Sequence, residues 1–96
     1  MCAVLISWEV RVSGRVQGVF YRVFTRDTAH SLGVNGWVRN EPGGSVSALV
    51  QHRDEAVLQQ MVAAMRQGPS GARVDDCLVR ELEQANSYTT FEIRYN

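Results

Sequence analysis

Val4, Ile6, Trp8, Val10 and Val12 alternate with Leu5, Ser7, Glu9, Arg11 and Ser13. A period of two predicts a half-buried strand. Gly14 and Gly18 then bracket a short loop, and the period changes. Phe20, Phe24, Thr28 and Leu32 recur every four residues with Val23 beside them, which predicts a helix whose apolar face they form. Gly33 stands where a helix would close in a left-handed residue. Val34 to Asn40 reads as a second strand and Glu41-Pro42-Gly43-Gly44 as a turn. Val46, Ala48 and Val50, alternating with Ser45, Ser47 and Gln51, return as the third strand of a hairpin. Asp54 is placed to cap a second helix with Val57, Leu58, Met61, Val62 and Met65 on one face, and Gly68-Pro69 ends it. A fourth strand is expected near Val74–Leu82, a turn at Asn86-Ser87, and a short last strand on Phe91, Ile93 and Tyr95.

The order is therefore β-α-β-β-α-β with a short extra C-terminal strand. It predicts an α+β, ferredoxin-like sandwich: an antiparallel sheet with two helices on one face. Ninety-six residues suit one domain spanning 1–96 and are too few for two separate cores. A hydrophobic content of 45% excludes a disordered chain. Met61 and Met65 read as core filling rather than as a partner-binding stripe.

Charge adds a local feature. Ten basic and ten acidic residues cancel, which argues against bulk binding to nucleic acid or an anionic membrane. The sum hides an asymmetry, because Arg11, Arg15, Arg22 and Arg26 lie between residues 10 and 26 with no acid among them. That stretch is either a solvated basic face or a site for a small anion. Every basic residue is Arg, so Schiff-base chemistry and a phosphate-loop lysine are excluded. Cys2 and Cys77 lack disulfide-framework or CxxC spacing and are expected to be free thiols in a reducing cytoplasm, with Cys77 packed as a small hydrophobe. His30 and His52 have no neighbours at metal-ligand spacing, so no metal site is expected. No leader and no membrane span is visible, and a cytoplasmic location is expected.

The most informative segment is Gly14-Arg15-Val16-Gln17-Gly18-Val19-Phe20-Tyr21-Arg22, which joins a strand to a helix N-terminus. Unpaired backbone N–H groups and the helix dipole there favour an anion, and two glycines allow several N–H groups to converge. Arg22, one turn into the helix, could reach an anion held at the loop and bind it bidentately. The segment is neither a Walker A loop nor a dinucleotide fingerprint. A glycine turn followed by a surface arginine is the plainer reading of the same residues.

GRVQGVFYR, LGVNGWVRN, GGSV, QGP…ARV at Gln67–Val74 and the closing FEIRYN together resemble the acylphosphatase family, in order and over nearly the whole chain. The resemblance implies an enzyme that hydrolyses the carboxyl–phosphate bond of acyl phosphates to a carboxylate and inorganic phosphate, with no metal and no cofactor. It implies a phosphate cradle from the backbone N–H groups of Arg15, Val16, Gln17, Gly18, Val19 and Phe20. It places the family's essential arginine on Arg22, its water-positioning asparagine on Asn40 and a supporting hydroxyl on Ser45. Taken without the resemblance, Asn40 could simply start a turn. Arg15 and Arg39 remain open between site-rim cations and solvated charges, and Gly36 and Trp37 read as packing.

Two departures from the family pattern stand out. Tyr21 adds a hydroxyl in or near the packed helix, and Gln51-His52 replaces a common acidic-glycine pair. The alternative function is a non-catalytic module that binds phosphate or carbamoyl phosphate, as in larger enzymes carrying this fold. RNA binding would need an aromatic RNP1-like strand, which is absent. The expected partners are a small acyl phosphate and inorganic phosphate, with no nucleic acid or membrane, and the expected state is a monomer.

Overall fold

In a computed structural model that describes residues 4–83 and 85–95, the change of period at Phe20 marks the first switch from strand to helix. The elements are β1 (Ile6–Arg15), α1 (Tyr21–Leu32), β2 (Asn35–Asn40), β3 (Val46–His52), α2 (Glu55–Gln67), β4 (Arg73–Leu82) and β5 (Phe91–Arg94). They form the expected α+β, ferredoxin-like arrangement on a five-stranded sheet of order β4-β1-β3-β2-β5. β1 pairs antiparallel with both β3 and β4, and β2 pairs antiparallel with β3. The short β5 is parallel to β2, so the sheet is mixed rather than wholly antiparallel. The direction follows from the topology, since β4 and β5 lie at opposite edges of the sheet and β5 runs alongside β2.

Register sorts the side chains into rows. Val10, Ala48, Val38 and Ile93 form one row across four strands. The next row on the same face is Val12, Val46 and Asn40. Val10, Val12, Val38, Val46 and Ala48 are fully buried beneath the helices, with Leu58, Met61 and Met65 of α2 above them. Truncating Leu58 to Ala would cost about 2–5 kcal/mol through lost transfer energy and a residual cavity. Met61 and Met65 are core, as their spacing implied.

The apolar face of α1 is displaced by one position from the one the pattern predicts. Tyr21, Thr25 and Ala29 are buried, whereas Phe20 is 82% exposed and Val23 projects outward. Two features set this rotation. Phe20 is the left-handed N-cap of α1, which turns its ring away from the helix's inner stripe. Tyr21 in turn donates its hydroxyl to the Met65 carbonyl at 2.6 Å, satisfying a buried polar group at the end of α2. Burial pushes the Tyr21 phenol pKa well above its ordinary value, so it stays a donor. Gly33, in the left-handed region, closes α1 as expected. Cys77 is half-buried against the core, and burial raises its thiol pKa. Cys2 lies outside the described residues.

Candidate active site

The segment from Val16 to Phe20 carries the chain from the end of β1 to the start of α1. Gly18 has φ 74° and Phe20 φ 61°. The first is ordinary for glycine; the second is not ordinary for a bulky aromatic and costs about 1–2 kcal/mol. Strained backbone persists where the surroundings enforce it, and it gathers at functional sites. Here it leads directly into the helix N-terminus. No side chain caps that terminus, and its first turn contains no acidic residue. The free N–H groups and the positive end of the dipole therefore remain available to an external anion.

A cavity of about 250 Å³ opens at this terminus, lined by Val16, Gly18, Phe20, Tyr21, Arg22, Val23, Asn40, Ile93 and Tyr95. Of the residues singled out in the sequence, it brings together Val16, Gly18, Phe20, Arg22 and Asn40. Arg22 comes from the first turn of α1. Among the described residues no carboxylate pairs with it, and its guanidinium lies 4.9 Å from the centre of the Tyr95 ring. Asn40 arrives from β2, on the same face as Val12 and Val46, by the alternation of the strand. Its Oδ1 is buried and has no hydrogen-bond partner among the described residues. A buried acceptor left unpaired costs about 1–3 kcal/mol.

The same alternation sends Arg39 to the opposite face. There it donates to Glu41 at 2.8 Å and stacks 4.9 Å from Trp37, and the ion pair holds the Glu41 carboxyl below its usual pKa. Arg39 is thus part of the sheet's outer surface rather than of the cavity. Arg15 is exposed at the end of β1 opposite Arg73 and does not line the cavity. Val19 packs against the core. The Gln17 side chain turns to the β2–β3 hairpin, donating to the carbonyls of Glu41 and Ser45 at 2.9 and 2.8 Å. Ser45 meets this region through its carbonyl and is not among the cavity-lining residues.

The residue patterns missed Tyr95 as a wall of the site. Its strand spacing with Phe91 and Ile93 was legible, but the direction of β5 was not. In the parallel pairing, Tyr95 lies one step beyond the last registered pair, Arg39 with Arg94, and so beside the level of Asn40. Among the described residues, no group of three or more His, Cys, Asp and Glu side chains could hold a metal ion. No helix among them is long and apolar enough to cross a membrane.

The acylphosphatase family model matches residues 8–93. The chain belongs to the acylphosphatase family, whose members are hydrolases. Curated acylphosphatases from Rhizobium etli and Methanothrix thermoacetophila are 49% and 45% identical to it. The alignments cover 88% and 94% of this chain and 89% and 98% of those proteins. A crystal structure of an acylphosphatase from Bacillus subtilis superposes with a TM-score of 0.89 at 34% identity, covering 96% of this chain and all of that one. The acylphosphatase match spans both the Val16–Phe20 segment and Asn40, so every lining residue of the cavity except Tyr95 lies within the matched stretch.

Proposed function

We propose that residues 1–96 act as one catalytic domain that hydrolyses the carboxyl–phosphate bond of small acyl phosphates without a metal. Arg22 and the backbone amides from Arg15 to Phe20 bind the phosphoryl group, and Asn40 positions the attacking water. The observation that carries this reading is the pairing, in one cavity, of an arginine with no carboxylate partner and an asparagine with a buried, unpartnered Oδ1, both among the described residues.

The chemistry needs few groups. The leaving carboxylate has a solution pKa near 4, so it departs without a general acid. Phosphoryl transfer through a loose transition state needs mainly positioning and charge stabilisation at the equatorial oxygens. Arg22 and the N–H groups of the α1 terminus supply both. The Asn40 amide is neutral at all relevant pH, and its Oδ1 accepts a hydrogen bond from water. It therefore orients the nucleophile rather than deprotonating it. The proton goes to a phosphate oxygen of the substrate. Ser45 supports the hairpin beside Asn40 and touches no reacting atom.

Benzoyl phosphate turnover in the presence of a chelator tests this function. Release of benzoate and phosphate at an undiminished rate supports it. Tight phosphate binding with no turnover would instead mark a non-catalytic anion-binding module.

A further inference from the structure

We infer that Gln17 is a positioning residue that sets the distance between the phosphate cradle and Asn40, an inference that rests on the proposed role of Asn40. Two parts of the site come from chain segments that share no covalent constraint. The cradle hangs between β1 and α1, whereas Asn40 ends β2 just before the Glu41–Gly44 turn. That turn has two consecutive glycines at φ 94° and 105°, and neither offers a side chain to brace it. Its own bonds are Glu41 N–H to the Ser45 carbonyl at 2.8 Å and Gly44 N–H to the Glu41 carbonyl at 3.3 Å.

Gln17 joins the two segments. Its backbone belongs to the cradle, and its side-chain Nε2 donates to the Glu41 and Ser45 carbonyls at 2.9 and 2.8 Å. Both protons of the amide are used, and both acceptors lie at the base of the hairpin. Glu41 directly follows Asn40, and Ser45 directly precedes Val46, the register partner of Asn40. The clamp therefore grips the hairpin on both strands, immediately beyond the Asn40 pair. Each of these carbonyls also accepts one backbone N–H, from Gly44 and Glu41 respectively, and the Gln17 amide nitrogen adds a second donor to both rather than pointing at the anion site. Its effect on the reaction must pass through the position of Asn40 relative to the phosphoryl group.

A double-mutant cycle on kcat tests this, using benzoyl phosphate as substrate and inorganic phosphate as a competitive inhibitor. Gln17→Met keeps the length and removes both donors. It should lower kcat about 10–100-fold, the scale of a small misplacement of a reacting group, while the phosphate inhibition constant changes less than about threefold. In the Asn40→Ala background the same substitution should lower kcat no further. Gln17→Asn, one methylene shorter, should give the same pattern and serves if the methionine variant does not fold. Equal kcat losses in both backgrounds, an unchanged kcat, or a parallel loss of phosphate affinity would overturn the clamp. Full-speed turnover by Asn40→Ala alone would instead overturn the role of Asn40 itself, so the two failures are distinguishable.

Discussion

The two helices begin in opposite ways. At α2, Asp54 sits in an extended conformation and its carboxylate accepts the Ala56 N–H at 2.9 Å, with Glu55 in the first turn. That terminus is closed by its own side chains. At α1, Phe20 occupies the left-handed region, caps nothing with its side chain and exposes its ring, and no acid follows in the first turn. The first arrangement contributes about 1 kcal/mol to stability. The second forgoes that contribution and adds backbone strain of similar size. The chain caps one helix conventionally and leaves the other open, within the stretch that carries four arginines and no acid, and the proposed anion site rests on that contrast.

The largest expected effect comes from removing the cation at the open end. Arg22→Ala should lower phosphate affinity at least tenfold, since charged hydrogen bonds contribute about 1.5–3 kcal/mol each. Its kcat should fall by ~10³–10⁵, the range for an arginine that stabilises a phosphoryl transition state. Steady-state kinetics with phosphate inhibition measures both. Closing the open end should weaken substrate binding by less. Phe20→Asp brings a carboxylate to the cavity mouth, and the KM for an acyl phosphate should rise about tenfold, or ~1.4 kcal/mol. The increase should shrink at high salt, because charges at this mouth are screened.

Opening the closed end should separate stability from function. Asp54→Ala should cost about 1 kcal/mol and lower Tm by roughly 4–8 °C, with kcat and phosphate affinity unchanged. Calorimetry beside kinetics reads the two quantities. The smallest effect concerns what holds α1 in its rotated setting. Tyr21→Phe removes the hydrogen bond to the Met65 carbonyl and should cost about 0.5–1.5 kcal/mol. Because burial raises the Tyr21 pKa in the folded state, stability should decline as pH rises past the ordinary tyrosine value near 10. The Phe variant should lose that part of the alkaline dependence, as urea midpoints at pH 8 and 11 would show.

Much of this was readable from the chain. β1, β3 and both helices had periodic signatures, and Asp54 and Gly33 mark helix ends because their chemistry is local. What escaped was non-local or unlike its residue type. Phenylalanine carries no signal for the left-handed region, so the buried stripe of α1 was read one position off. The direction of β5 depends on its non-local pairing with β2 at the far edge, and with it went the place of Tyr95 beside the cavity. Gln17 meets carbonyls 24 and 28 residues away, and backbone acceptors leave no trace in sequence. Arg22 and Asn40, which the resemblance singles out, both line the cavity, and the alternation of β2 explains why Asn40 faces it while Arg39 does not.

The central claim is that Asn40 positions the nucleophile at a phosphoryl group bound elsewhere. The measurement that reaches it most directly is benzoyl phosphate turnover with a chelator, comparing the unaltered protein with Asn40→Ala, with phosphate inhibition recorded for both. The account predicts a kcat lower by ~10²–10³-fold in the variant and a nearly unchanged phosphate inhibition constant. A variant that turns over at full speed, or one that loses phosphate affinity in step with kcat, would contradict it.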